Sequence, residues 1–135
     1  MKQVYIAYIK QDKDDYLVYV PDIDQYTSGK TLFEAFHMGR DLLGTWSLDG
    51  KSIPEPSGHA QALQKTREKA DEEDFRFSEG EAVYIDIDFD EYRRKLNTTA
   101  VRKSVSIPAW LCERAEAAGL SLSKVLQEAL IEKLG

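Results

Sequence analysis

The segment VRKSVSIPAW, residues 101–110, constrains the fold most strongly, because it predicts a β-strand for which the chain offers no obvious partner. Apolar and polar side chains alternate over residues 101–107, which is the period of a strand, and Pro108 ends the run. The apolar face is formed by Val101, Val105 and Ile107, and the polar face by Arg102, Ser104 and Ser106. A lone strand leaves its backbone hydrogen-bonding groups unpaired, so this segment needs a neighbour.

The chain beyond Pro108 predicts two helices, at about residues 109–118 and 122–134, with a turn at Gly119 between them. Apolar residues recur at helical spacing in the second helix, and they are Leu122, Val125, Leu126, Ala129, Leu130 and Leu134. This stripe is too apolar to face water, and residues 101–135 are too few to bury it alone. We therefore expect the rest of the chain or a second copy to cover it.

The N-terminal part predicts a sheet with a helix packed on it. Residues 4–9 and 16–20 alternate as the two strands of a hairpin, with apolar side chains on both faces of the first. A short third strand is expected before Gly29, and residues 83–89 predict a further strand. The order of strands and helix predicts a small α+β domain, β-β-(β)-α-β.

Local signals also mark how the helix of this domain begins and ends. Thr31 and Glu34 fit a capping box at its start, and Gly44 and Gly50 bracket its end. The sequence leaves residues 56–80 open between a polar helix and irregular chain. After Asp90 the chain is polar and basic, and it predicts a connector.

Charge is distributed unevenly along the chain, whose net charge is −6. Residues 1–92 contain 10 Lys and Arg against 20 Asp and Glu, whereas residues 93–135 contain 8 against 4. Such a split is typical of a nucleic-acid-binding end joined to another domain, although an acidic domain beside a mildly basic tail gives the same numbers. No apolar run is long enough for a membrane span, the start lacks a secretory signal pattern, and Cys112 is the single cysteine, so we expect a soluble cytoplasmic protein.

The carboxylates are the residues from which an enzyme site would be built. Asp86, Asp88 and Asp90 alternate along a predicted strand, and with Asp22 or Asp24 they would offer oxygen ligands for Mg²⁺. The alternative is that they form the solvated face of that strand, with the apolar residues between them packed inward. The two histidines and Cys112 lack spaced partners. We therefore predict no catalytic residue, no metal site and no cofactor.

The polar residues of the C-terminal segment suit contact with DNA. A two-stranded ribbon fits the major groove, where an Arg102 guanidinium matches guanine and the Ser104 and Ser106 hydroxyls reach base edges. A second group of predicted contacts lies at the start of the last helix: Ser121 as N-cap, the amides of Leu122 and Ser123 facing a phosphate, and Lys124 beside them. The alternative is a packing strand whose serine face is merely exposed.

The order of strand, proline, helix, glycine turn and serine-capped helix in residues 101–135 resembles the ribbon-helix-helix class of DNA-binding proteins. The stretches YLVYVPDID, TSGKTLFEAF, DLLGTW and IPEPS resemble antitoxins of the HicB type. The resemblance implies a degraded ribonuclease H-like domain fused to a DNA-binding domain, and a small HicA-type toxin that cleaves messenger RNA as partner. The chain departs from the family at Asp24–Tyr26, where the family usually carries a Pro-Gly-Cys turn.

These observations predict a toxin-neutralising domain at residues 1–92, a linker at 93–100 and a ribbon-helix-helix domain at 101–135. The chain is then an antitoxin that binds its toxin directly and represses its own operon as a homodimer paired through residues 101–107, with a tetramer as a further association. The residues that contact the toxin are not predicted. A metal-dependent nuclease that uses Asp22, Asp86 and Asp88, or a stand-alone repressor that senses a small ligand, are the alternative functions.

Overall fold

The computed structural model describes residues 1–98 and 100–135, which form two compact units, Met1–Thr98 and Thr99–Gly135. We call them the N-terminal and the C-terminal unit. The N-terminal unit contains β1 (Lys2–Asp12), β2 (Asp15–Val20), β3 (Gln25–Gly29), α1 (Leu32–Leu48), α2 (His59–Lys69), a 3-10 turn (Phe77–Glu79), β4 (Glu81–Asp88) and α3 (Phe89–Leu96). The C-terminal unit contains α4 (Ala109–Ala117) and α5 (Leu122–Leu134). The described chain is thus an α+β protein, as the sequence predicts.

The four strands form one antiparallel sheet in the order β3-β2-β1-β4. The predicted hairpin of β1 and β2 is confirmed, with Tyr8 opposite Tyr19 and Asp12 opposite Asp15. Its turn contains Lys13 at a φ of 58°. The short third strand is also confirmed as β3, which pairs with β2 along one edge of the sheet. β4 lies along the other edge because it returns antiparallel to β1, with Lys2 opposite Asp88.

The sheet carries a hydrophobic core on each face, as the alternation of β1 predicts. One face, which α1 covers, contains Tyr5, Ala7 and Ile9, and these pack with residues of β2, β4 and α1. The other face contains Ile6 and Tyr8, which pack beneath α2 and the 3-10 turn. Because successive side chains of a strand point to opposite faces, β1 contributes to both cores at once.

Helix α1 begins and ends where its sequence signals indicate. The Thr31 hydroxyl accepts a hydrogen bond from the Glu34 amide at 3.1 Å. The Glu34 carboxylate reaches back to the amide of Lys30 at 3.3 Å, one residue before the cap. The helix stops at Leu48, and Gly50 then adopts a φ of +71°, which an L side chain tolerates poorly. Thr31 and Glu34 therefore satisfy two amides at the start of the helix.

Part of the segment that the sequence left open, residues 56–80, forms helix α2 on the second face of the sheet. Ala62 and Thr66 are buried on its inner side, and the Thr66 hydroxyl donates to the Ala62 carbonyl at 2.8 Å. The two buried residues of α2 are both small, and Leu63 is only partly buried against the core, which explains why the sequence pattern of α2 is weak. Phe77 of the 3-10 turn then completes the core on this face.

The connector predicted after Asp90 is wrong, because Phe89–Leu96 forms helix α3. The Asp88 carboxylate caps it, accepting from the amides of Asp90 at 3.1 Å and Glu91 at 3.3 Å. Asp90 therefore lies in this helix and not on the strand face with Asp86. The Tyr92 hydroxyl holds α3 against α1, since it donates to the Asp41 carboxylate at 2.7 Å.

The position of α3 also changes how charge divides between the units. Three of the cations counted with the C-terminal part, Arg93, Arg94 and Lys95, lie in the last turn of α3, where a helix dipole favours positive charge. The N-terminal unit therefore contains 13 Lys and Arg against 20 Asp and Glu, and the C-terminal unit contains 5 against 4. The net charges are −7 and +1, so the C-terminal unit is nearly neutral and not strongly basic.

Candidate functional site

Residues 101–107 form no strand within the described chain. Every residue of this segment is exposed, and Val105, on the predicted apolar face, keeps 61% of its surface in contact with water. The predicted DNA-reading residues Arg102, Ser104 and Ser106 are among them. Because strand hydrogen bonds require a neighbouring backbone, pairing of this segment with a second copy stays a prediction.

Helix α4 is delimited by a proline and a glycine. Pro108 stands at its N-cap, where the absent amide costs nothing, and its carbonyl accepts from Cys112 at 3.1 Å. At the other end, Gly119 has a φ of +70° and its amide donates to the Glu116 carbonyl at 3.0 Å. The Leu120 amide donates to the Ala115 carbonyl at 3.0 Å, which completes a Schellman motif. The predicted turn at Gly119 is confirmed.

Helix α5 brings the second group of predicted contacts together at its start. Ser121 is the N-cap, as predicted, and its hydroxyl accepts from the Lys124 amide at 3.4 Å. Leu122 and Ser123 occupy the first turn, where amides point out of the helix and the dipole is positive. Ser121, Leu122, Ser123 and Lys124 are therefore adjacent and exposed, in an arrangement that suits an anion.

The apolar residues of the C-terminal unit are exposed to solvent. No residue of α4 or α5 is buried. The large exposed apolar side chains of the two helices and of the turn between them are Trp110, Leu111, Leu120, Leu122, Val125, Leu126, Leu130, Ile131 and Leu134. Burying one such side chain stabilises a fold by about 1.5–3 kcal/mol, so leaving this many in water forfeits much of what would hold the unit together. Within the C-terminal unit itself, no described surface covers these apolar side chains.

The carboxylates of the nuclease alternative are each bound to a separate partner. The Asp22 side chain is 1% exposed, and it accepts from Lys65 at 2.9 Å and from the Ser57 amide at 2.9 Å. Asp86 pairs with Arg40 at 2.8 Å. That hydrogen bond with the guanidinium lowers the pKa of the Asp86 carboxyl.

Asp88 has a structural role as well, since it caps α3. Hydrogen bonds from the helix amides lower the pKa of its carboxyl. The surface cleft beside Asp86 and Asp88 has a volume of about 930 Å³ and also contains Lys2, Arg40 and Lys95, so cations already lie near both carboxylates. Among the described residues, no group of three or more His, Cys, Asp or Glu side chains is placed to hold a metal ion.

A groove lined by aromatic side chains lies on the second face of the sheet, and the sequence analysis did not predict it. It has a volume of about 350 Å³, and we call it the aromatic groove. Phe77 lies at its centre, with ring centroids at 5.3 Å from Tyr19, 6.3 Å from Tyr26 and 5.0 Å from Phe75. Only the alternation of Phe75 and Phe77 about Arg76 was visible in the sequence, because the other two rings are contributed by β2 and β3.

Carboxylates accompany the rings of the aromatic groove. Asp24 and Glu72 line it, as does Lys69. Asp24 has a φ of 50°, in the left-handed region that Asp tolerates better than most residues, and it accepts from the Tyr19 hydroxyl at 2.7 Å. Burial, and then the hydrogen bond to Asp24, raise the pKa of the Tyr19 phenol far above its ordinary value. The hydroxyl therefore stays protonated and keeps donating to Asp24.

Comparison with known proteins finds relatives by structure. No protein-family model and no curated protein sequence matches the chain. A chain of the toxin–antitoxin complex from Streptococcus pneumoniae is similar over 98% of this chain and 99% of that chain, with 25% sequence identity and a TM-score of 0.56. The antitoxin HicB of Burkholderia pseudomallei matches over 99% of this chain and 96% of that chain, with 23% identity and a TM-score of 0.37.

The similarity to the streptococcal chain extends over nearly the whole sequence and therefore includes both units. The sequence motifs resemble HicB-type antitoxins, and the structure is similar to a chain of a toxin–antitoxin complex. The described helices include none that is long and apolar enough to cross a membrane. The assignments to a ribonuclease H-like domain and a ribbon-helix-helix domain stay predictions.

Proposed function

We propose that the chain is the antitoxin of a type II toxin–antitoxin system. Its N-terminal unit binds and neutralises a HicA-type toxin that cleaves messenger RNA, and its C-terminal unit binds operator DNA and represses the operon. The proposal is supported by the similarity over nearly the full length to a chain of a toxin–antitoxin complex. The protein then acts by binding and not by catalysis, in agreement with the separate partners of Asp22, Asp86 and Asp88.

The observation that carries the proposal is the incomplete C-terminal unit. Residues 101–107 lack a backbone partner in the described chain, and the apolar sides of α4 and α5 are exposed. A second copy supplies both at once: the two segments pair as an antiparallel ribbon, and the two helix pairs cover each other's apolar sides. Such a ribbon fits the major groove of DNA, whereas the separate segments do not.

The predicted contacts are distributed over this dimer in two groups. Arg102, Ser104 and Ser106 lie on the polar face of the ribbon, where they read base edges. The start of α5, from Ser121 to Lys124, holds a phosphate and so positions the ribbon on the duplex. Because the C-terminal unit has a net charge of only +1 per copy, we expect binding to depend more on these contacts than on overall charge.

The N-terminal unit suits a basic partner. Its net charge of −7 attracts a protein that itself binds RNA, because complementary charge accelerates encounter and favours the correct partner. This unit also has a hydrophobic core on each face of its sheet. Direct binding of the toxin to this unit is the neutralising step.

The experiment combines growth rescue with operator binding. The full chain is co-expressed with the product of the neighbouring reading frame, and its binding to the upstream DNA is measured by gel shift. We expect rescue of growth and specific binding. Arg102→Ala should weaken operator binding by roughly 1–3 kcal/mol and relax its sequence preference, while growth rescue is retained.

Lys103→Ala is the matched control, because Lys103 lies in the same segment and falls on the other face of the alternation. It should leave the sequence preference unchanged. If Arg102→Ala leaves affinity and preference as they are, the segment does not read DNA. If the full chain fails to rescue growth, it is not the antitoxin of that toxin.

A further inference from the structure

Tyr26 exposes its aromatic ring at the edge of the aromatic groove. Tyr26 is 67% exposed although it borders the aromatic groove, in which Phe77 is only 7% exposed. Tyrosine is enriched at protein interfaces, because its ring offers a large contact area with few rotatable bonds and its hydroxyl tolerates water. A groove with buried rings at its centre and an exposed tyrosine at its edge is therefore suited to receive a partner's side chain.

The charges around the aromatic groove indicate that the partner's side chain is a cation. The groove is lined by two carboxylates, Asp24 and Glu72, and by one cation, Lys69. The four residues that precede Phe75 are all acidic. Asp24 is held in place by the Tyr19 hydroxyl through one carboxylate oxygen. A carboxylate beside aromatic faces favours a cation that stacks on the rings and forms hydrogen bonds at its edge.

The same aromatic cluster already contacts a cation of this chain. The Lys10 ammonium lies 4.8 Å from the centroid of the Phe75 ring, within the range of a cation–π interaction. Phe75 packs edge-on against Phe77 at an interplanar angle of 82°, so the rings present faces in different directions. The aromatic groove is lined by these rings together with the two carboxylates of Asp24 and Glu72.

We propose that the aromatic groove receives an arginine side chain of the toxin, with the guanidinium stacked on Tyr26 and paired with Asp24. Arginine suits this site better than lysine, because its planar fork stacks on rings and bonds a carboxylate in the same plane. The proposal rests on the proposed function for the identity of the partner. It adds a specific contact to the general attraction between an acidic unit and a basic toxin.

The first test measures how tightly the full chain binds a catalytically inactive form of the toxin, by isothermal titration calorimetry. Tyr26→Ala should weaken binding about tenfold, since it removes a stacking face. Tyr26→Phe should stay within about twofold of the wild type, because the face is retained. Asp24→Asn should weaken binding without unfolding the turn, as Asn adopts positive φ as readily as Asp.

Tyr84→Ala is the matched control. Tyr84 is 68% exposed, and it lies on the same face of the sheet but at the opposite edge, since it pairs with Ile6. Its removal should change toxin binding less than twofold. Equal losses in Tyr26→Ala and Tyr84→Ala, or no loss in either, overturn the proposal and leave the antitoxin function intact.

The second test separates the groove from the antitoxin function. The full chain is titrated with Nα-acetyl-arginine amide, and with the neutral citrulline analogue, while aromatic ¹H–¹³C NMR signals are recorded. We expect the signals of Tyr26, Phe75 and Phe77 to shift with the arginine compound only. Equal shifts with both compounds, or shifts confined to other rings, overturn the groove assignment. A wild-type chain that binds arginine here but does not bind the toxin overturns the proposed function and its partner instead.

Discussion

Tyr5 and Tyr8 lie on opposite faces of β1, and their buried hydroxyl groups differ in one respect. The Tyr5 hydroxyl donates to the Pro54 carbonyl at 2.7 Å, and burial raises the pKa of its phenol to about 12. Tyr8 is only 2% exposed, and its hydroxyl has no hydrogen-bond partner among the residues that the structure describes. A buried polar group without a partner loses its hydration and gains nothing in return.

We therefore predict that Tyr8→Phe raises the free energy of unfolding by about 1 kcal/mol, because it removes the hydroxyl and keeps the ring. Tyr5→Phe, the matched control, should lower it by about 1 kcal/mol, since a satisfied hydrogen bond is lost and the Pro54 carbonyl is left unpaired. Urea unfolding followed by circular dichroism measures both. A Tyr8→Phe variant that is as destabilised as Tyr5→Phe would mean that the Tyr8 hydroxyl is bonded.

At the level of elements, the contact between α1 and α3 depends on a glycine. A Cβ atom added at Gly44 would lie 2.5 Å from the ring of Tyr92, which is closer than such atoms approach. Tyr92 also bonds to Asp41 and lies 3.2 Å from the Thr45 hydroxyl, so its ring has little freedom to withdraw. The absence of a side chain at Gly44 is what allows α3 to pack on α1.

Gly44→Ala should therefore destabilise the N-terminal unit by about 1–3 kcal/mol, although alanine is intrinsically about 1 kcal/mol better than glycine within a helix. Amide hydrogen exchange should show faster opening of α3 than in the wild type. In a Tyr92→Ala background the same change should become neutral or stabilising. Gly58→Ala is the control, because nothing lies within 4 Å of a Cβ at that position. Equal effects at the two glycines would contradict the assigned contact.

At the level of the whole molecule, burial is concentrated in the N-terminal unit. All buried hydrophobic residues of the described chain lie between Tyr5 and Phe89, whereas α4 and α5 contain none. We therefore expect the N-terminal unit to fold without the C-terminal unit. We also expect the stability of the C-terminal unit to depend on the association of two copies and to rise with protein concentration.

A chain that ends at Thr98 should keep its fold and bind the toxin within about threefold of the full chain, because the sheet, both cores and the aromatic groove are retained. It should not bind operator DNA. Calorimetry with an inactive toxin and gel shifts with the upstream DNA measure the two activities, and circular dichroism confirms folding. A folded fragment that no longer binds the toxin would contradict this division of function.

The sequence alone determined most of the elements of this protein. The alternation in β1 predicted the hairpin and both cores, Thr31 marked the start of α1, and Gly119 and Ser121 marked the turn and cap between α4 and α5. These signals succeeded because periodicity, caps and turns depend on residues within a few positions of each other.

The tertiary structure decided the features that join distant parts of the chain. Helix α3 packs on α1 because Tyr92 meets Gly44, and the nuclease carboxylates are engaged because Asp22 meets Lys65 and Asp86 meets Arg40. The aromatic groove combines rings from β2 and β3 with Phe75 and Phe77. Each of these contacts joins residues that are tens of positions apart, so no local pattern encodes it. Packing on the sheet brings them together, and only the folded chain reveals which residues are neighbours.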